Sequence, residues 1–250
     1  MFSARQGFFP VATGGFFATT GYWPNSASQL LSFTPVTNTI TWNTTAGFTV
    51  EYWCYFVSWP TGINPGPGNQ NGVGNNFWSF GPTASGQLEF YYWTGATRYL
   101  NTATGALSLN TWNNIAIVFT TSGTTTTATM YINGTRTQIQ KDRAGAFADS
   151  QTTTNTPQFN TATGFGIGRY SSTQWNAYMD NLRVSRTARY SGASYTVATS
   201  PFSSDANTQL LMYCNGANNS TTFTDSGINA YTITNASNIV IQTTTRGNHT

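Results

Sequence analysis

The sequence predicts an all-β protein: an antiparallel β-sandwich preceded by an extended N-terminal arm. Three observations carry the all-β assignment. Apolar and polar residues alternate with a period of two in several runs, and the runs at 48–57 and 112–120 are rich in aromatic and β-branched residues. Asn133-Gly134 follows Tyr131-Ile132, and this pair is a strong hairpin signal because both central residues of a type I′ turn need positive φ. No segment sustains the 3.6-residue period of an amphipathic helix, and a short helical turn at 187–191 is the most the pattern allows.

Along the chain, residues 1–35 show neither period and form the arm. Its aromatics, Phe8, Phe9, Phe16, Phe17 and Trp23, set it apart from a disordered tail, which avoids such residues, and mark it as a segment that docks on a partner. Residues 36–245 form the sandwich, a length normal for one β domain. Strands are expected at 36–42 and 48–57. Residues 58–75 recur in Pro and Gly too often for regular pairing and are expected to loop. Further strands follow at 77–80, 87–93 and 97–100, with a turn at 94–96 between the last two. The pair 112–120 and 128–132 precedes the Asn-Gly turn, and 135–140 is its return strand. Residues 141–158 are polar and read as a second long loop, after which 164–169 and 175–184 close the sandwich.

Charged residues make up 7% of the 250, against about 25% in an ordinary soluble domain, while aromatics reach 15%. Core material is therefore ample, and the surface is built mainly from hydroxyl and amide groups. The net charge is +3 and the cations are scattered, with Arg183, Arg186 and Arg189 the tightest group. A nucleic-acid reader needs a denser basic stripe, so no nucleic-acid partner is expected. No stretch approaches the ~20 apolar residues of a membrane-spanning helix, and no membrane partner is expected. The first ten residues hold one cation and an apolar run broken by Gly and Pro, so no export signal is read there and synthesis in the cytoplasm follows. Cys54 and Cys214 are too few for a disulfide framework or a four-cysteine zinc site, and both fit buried thiols, with a pairing left open.

Four segments carry a family resemblance. They are Phe48-Thr-Val-Glu-Tyr-Trp-Cys-Tyr-Phe56, Thr111-Trp-Asn-Asn-Ile-Ala-Ile-Val-Phe119, Ala128-Thr-Met-Tyr-Ile-Asn-Gly134, and the run from Ala177 to Ser191 that contains Asp180, Arg183 and Tyr190. In this order and spacing the chain resembles the laminin-G-like, concanavalin A-like jelly roll. The run from Asp180 to Tyr190, with Pro201-Phe202 and Leu210-Leu211-Met212 after it, is similar to copies of that fold in phage virion proteins. The resemblance implies a structural role for Asp180, accepting hydrogen bonds from turn amides. The segment from Leu210 to Thr234 looks like the opening of such a domain although it sits near the end, which implies that the two ends of the chain pair within one domain.

Catalytic groups are sparse. Hydrolases of this fold class place carboxylates at alternating strand positions, and retaining chemistry needs two carboxyls ~5–5.5 Å apart. No two of the seven acids, Glu51, Glu89, Asp142, Asp149, Asp180, Asp205 and Asp225, lie within six residues of each other. The single histidine, His249, is next to the last residue and has no scaffold to hold it for a triad or a zinc site. Calcium is the one metal with candidate ligands, Asp142 and Asp149 in a shared loop, although Lys141 and Arg143 flank the first. No cofactor is otherwise expected. Glycan binding needs an aromatic platform with polar partners, and the candidates are Trp59 with Asn64, Trp93 with Arg98, and Trp175 with Asn176; each Trp competes with a role in the core.

The expected function is a non-enzymatic virion structural protein, a capsid decoration or a tail or fibre component, with glycan adhesion on its surface. A soluble carbohydrate-binding lectin is the alternative and a glycoside hydrolase a distant third. The expected partners are other virion proteins through the arm, glycans, and further copies of the chain in a homo-oligomer or multi-copy assembly.

Overall fold

The computed structural model describes residues 18–26, 29–34, 46–62, 64–69, 78–93, 96–123, 125–153, 164–170, 172–236 and 239–243. Every regular element among them is a strand. In chain order these are β1 (Thr19–Pro24), β2 (Leu31–Phe33), β3 (Phe48–Ser58), β4 (Gly68–Asn69), β5 (Trp78–Pro82), β6 (Leu88–Trp93), β7 (Thr97–Thr102), β8 (Trp112–Ser122), β9 (Thr125–Ile132) and β10 (Thr135–Thr137). The second half adds β11 (Ile139–Lys141), β12 (Gln151–Thr153), β13 (Phe165–Ile167), β14 (Arg169–Tyr170), β15 (Thr173–Gln174), β16 (Asn176–Ser185), β17 (Thr208–Met212), β18 (Thr234–Asn235) and β19 (Val240–Thr243).

Two antiparallel sheets face each other. The first runs β10-β9-β8-β3-β16-β1-β19, with β12 also on β9 and β17 also on β16. The second runs β11-β7-β6-β5-β4-β13-β2-β18. Alternation decides which side chains meet between them. Phe48, Val50, Tyr52, Cys54 and Phe56 of β3 point inward and pack with Trp78 and Phe80 of β5 and Phe90 of β6 in one continuous core. Asn133 and Gly134 turn β9 into β10 with φ of 50° and 76°, as the Asn-Gly pair predicts. Cys54 and Cys214 are both buried free thiols in that core.

The sandwich begins earlier than residue 36. β1 lies between β16 and β19, and Trp23, expected in the docking arm, has no exposed surface and sits edge-on to Trp175 in the core. Its indole nitrogen donates to the Ile167 carbonyl at 3.3 Å. The neighbouring Gly168 has φ +93° and passes so close that a Cβ there would lie 2.1 Å from the Trp23 ring. The apolar residues of β1 and β2 complete the two sheets, so this segment folds into the sandwich and does not extend from it as an arm. Phe8, Phe9, Phe16 and Phe17 lie outside the described residues. β19 pairs with β1, so the two ends of the described chain share one sheet. The expected loop at 141–158 contains β12, and no helical turn forms at 187–191.

Residues 186–207 form a strap across the outer side of the first sheet. Its ends are tied by the Arg186 amide donating to the Asn207 carbonyl at 3.0 Å. Tyr190 and Tyr195 stack on each other with centroids 3.7 Å apart and pack against Tyr131 of β9. The strap also covers the edge of β10, through a bridge between Thr135 and Ser194, and so removes a site for unwanted strand pairing.

Candidate functional site

Charges are scarce in this chain, so their grouping is informative. One such group lies on the outer side of the second sheet. In β6, Leu88, Phe90 and Tyr92 face the core, so Glu89, Tyr91 and Trp93 face outward. Across the hairpin they sit opposite Asn101, Tyr99 and Thr97 of β7. Tyr91 and Tyr99 have ring centroids 5.2 Å apart at an interplanar angle of 33°. Trp93 and Tyr99 are half-buried.

The turn after β11 brings a guanidinium onto this face. Asp142 and Arg143 both adopt left-handed backbone conformations, with φ of 54° and 58°. Such conformations cost of order 1–3 kcal/mol for non-glycine residues and persist only where the surroundings hold them. Here the hold is explicit. The Asp142 amide donates to the Tyr99 carbonyl at 2.8 Å, the Tyr99 amide donates to Asp142 Oδ1 at 3.2 Å, and Arg98 Nη1 donates to Asp142 Oδ2 at 3.1 Å. Arg143 then donates from Nε and Nη2 to the two oxygens of Glu89, each at 2.9 Å. Its guanidinium lies 3.8 Å from the centre of the Tyr99 ring. Glu89 has no exposed surface, and burial raises its carboxyl pKa while Arg143 pulls it back down. The result is a pinned, planar cation stacked on Tyr99, with Tyr91 buried beside that ring and Trp93 two positions beyond Tyr91 on the same face of β6.

A second charged group is centred on a buried carboxylate. Glu51, on the outer side of β3, is fully buried beneath the strap. It accepts from Arg183 Nε at 2.8 Å and from the Tyr190 hydroxyl. Burial, then the Glu51 carboxylate, pushes the Tyr190 phenol far above its usual range. Arg189 clasps Asp205 at 2.9 and 3.0 Å across the base of the strap. Asp180 is also buried, at a register shift where β16 slips against β3, and its Oδ1 accepts from the Asn181 amide at 2.6 Å. The donor is the next residue of the same strand, at the register shift, and not a turn amide as the family resemblance implies.

The residues expected to bind glycans are dispersed. Trp175 is fully buried in the core, because large rings fill the sandwich centre. Asn64 is also fully buried and serves as a loop hub, donating to the Glu89 carbonyl at 2.6 Å and accepting from the Gly66 amide at 2.8 Å. Trp59 packs against Phe56 and over Gly86. Asn176 donates to Ser58 Oγ at 3.2 Å at the start of β16. Only Trp93 and Arg98 fall in the hairpin region that presents several aromatics. Each of the two calcium candidates is engaged by an arginine, Asp142 by Arg98 at 3.1 Å and Asp149 by Arg136 at 2.6 Å. Among the described residues no three His, Cys, Asp or Glu side chains gather in a way that could hold a metal ion.

Sequence reasoning missed Tyr91, Tyr99, Glu89 and Arg143 as members of this face. Alternation along 87–93 was a usable signal for the shared face of residues 89, 91 and 93. Nothing local signalled that Arg143 would fold back 54 residues onto Glu89.

Comparison with known proteins agrees with this architecture. A profile described as the Concanavalin A-like lectin/glucanases superfamily matches residues 32–193. No curated protein sequence matches the chain. Among solved structures, the chain is similar to a putative carbohydrate binding protein from Bacteroides ovatus ATCC 8483, with a TM-score of 0.58 and 17% identity over 93% of this chain. It spans 62% of that protein's length. It is also similar to the native heptameric SAP-like pentraxin of Limulus polyphemus, with a TM-score of 0.50 and 14% identity, covering 92% of this chain and 97% of the pentraxin. At these identities the likeness is one of fold. The matched profile covers more than half of the sequence, and the chain belongs to the Concanavalin A-like lectin/glucanases superfamily.

Proposed function

We propose that this chain is a non-enzymatic carbohydrate-binding module, that its sugar-facing surface is the outer side of β6 and β7, and that it serves as a surface component of a virion. The observation that carries the binding role is the pinned guanidinium of Arg143 stacked on Tyr99, on the same sheet face as the half-buried Trp93. Aromatic rings supply apolar surface for the C–H faces of a sugar, and the neighbouring polar groups supply hydrogen-bond direction.

Several features favour binding without turnover. Glu51 and Glu89 lie on opposite outer sides of the sandwich, and packed sheets are ≈10 Å apart. Their carboxyls are therefore beyond the ~5–5.5 Å of a retaining pair and the ~6.5–9.5 Å of an inverting pair. Glu51, Glu89 and Asp180 are also each sealed from solvent. The virion role is supported by the low charge of the surface, by the aromatics at the start of the chain, and by the resemblance of 180–212 to phage virion copies of the fold.

The test is titration calorimetry of the pure chain against a panel of polysaccharides, with and without Trp93→Ala. Loss of the ring should cost about 1.5–3 kcal/mol of affinity if the ligand buries it fully. Binding unchanged in that variant rules out this face. Product formation from any polysaccharide, abolished by Glu89→Gln, rules out the non-enzymatic role. Cosedimentation of the chain with intact particles supports the virion role, whereas a chain found only free in the lysate favours a soluble lectin.

A further inference from the structure

A guanidinium has two edges that can each donate a parallel pair of hydrogen bonds, one from Nε and Nη2 and one from Nη1 and Nη2. In Arg143 the first edge is occupied by Glu89. Among the described residues nothing bonds to Nη1, and 46% of the side chain is exposed. The group cannot swing away to meet solvent at random. Its plane is fixed on one side by the Tyr99 ring, its inner edge by Glu89, and its backbone by the left-handed turn at Asp142 and Arg143.

The nearby negative charges are already satisfied. Glu89 is buried and spent on Arg143, and Asp142 is spent on Arg98 and the Tyr99 amide. The open edge is thus a preorganised fork stacked on the Tyr99 ring, with no free carboxylate among these groups to repel an anion. A planar two-oxygen anion matches such a fork, whereas a neutral hydroxyl can use only one of its donors.

From this geometry we infer that the carbohydrate site takes acidic glycans, in which the carboxylate of a uronic acid residue pairs end-on with Arg143 while a sugar ring lies against Trp93. The inference rests on the proposed carbohydrate-binding role and assigns the ligand class at that surface.

The experiment compares four oligosaccharides of matched length on the intact chain by calorimetry: a uronate oligomer, its methyl ester, a neutral oligomer, and the neutral oligomer carrying sulfate esters. The uronate should bind at least about tenfold more tightly than its methyl ester, the equivalent of one charge-assisted hydrogen bond. That margin should shrink as salt is raised. Arg143→Lys keeps the charge but removes the fork, and it should erase the preference for carboxylate over sulfate. If that variant fails to fold because Glu89 loses its cover, the comparison of acid with ester on the unaltered chain decides the matter. Equal affinity for acid and ester overturns the inference and leaves glycan binding standing. Tighter binding of the sulfated oligomer than the uronate overturns the carboxylate assignment. Absence of binding to all four overturns the carbohydrate role and this inference with it.

Discussion

Arg183 and Glu51 lie 132 residues apart in the chain, yet their charged groups meet at 2.7 Å in the covered outer face of the first sheet. The pair fixes three things together: the register region where β16 meets β3, the seat of the strap through Arg183 and the Ser203 carbonyl, and the position of Tyr190 above Glu51. The Arg183 guanidinium also lies 4.4 Å from the centre of the Phe202 ring. One ion pair therefore joins strand, sheet and strap.

Removing one partner should be far worse than replacing both. Arg183→Ala leaves Glu51 buried without its main counter-charge, and the expected loss is about 3–5 kcal/mol in urea unfolding. The double change Glu51→Leu with Arg183→Met should recover much of that loss. A single variant within about 0.5 kcal/mol of the parent, the usual range of surface changes, would show that the pair does not anchor the strap.

Asp180 should make stability fall as pH rises. Burial holds its carboxyl pKa well above the ordinary value, so the folded state keeps a proton that the unfolded state releases. Its contribution is fully present below about pH 4 and is lost as pH climbs through the raised folded value. Asp180→Asn should remove that decline and raise the urea midpoint at neutral pH. A variant less stable than the parent at neutral pH but equal to it in acid would contradict this.

Asp205 should act with the opposite sign. Hydrogen bonds from Arg189 hold its carboxyl below the usual carboxylate range, so its contribution is present above that range and is lost only as pH falls through the depressed value. The Asp205 carboxyl carbon should then keep a constant NMR shift from neutral pH down to about 4, where an unperturbed aspartate is already half protonated. An ordinary titration curve would mean that the clasp to Arg189 is open in solution.

Trp23 should behave as a core residue. Trp23→Ala is expected to cost about 3–5 kcal/mol, the range for large aromatic deletions in cores. Deleting residues 1–17 should leave a cooperatively folding sandwich, whereas deletion through residue 25 removes β1 from between β16 and β19 and should abolish folding. Thermal unfolding followed by near-ultraviolet circular dichroism separates these outcomes.

Local chemistry was enough to make much of this protein legible in one dimension. The alternation of 48–56, the Asn133-Gly134 turn and the paucity of charge each act over a few residues, and so the strand class, the hairpin and the neutral surface follow from sequence alone. The family resemblance carried by the segments 48–56, 111–119, 128–134 and 177–191 extended that to the sandwich. Which aromatics serve the core was beyond such reasoning. Trp23, Trp93 and Trp175 have the same side chain, and only the tertiary arrangement sends Trp23 and Trp175 into the core and leaves Trp93 on the outer face of β6. The proposed binding face depends even more on tertiary structure, because Arg143 reaches Glu89 only when β11 has paired with β7 and the turn after it has been forced into a left-handed form. Strand formation is a short-range matter of steric fit and alternation, whereas the meeting of Arg143, Glu89 and Tyr99 depends on long-range pairing that no local pattern encodes.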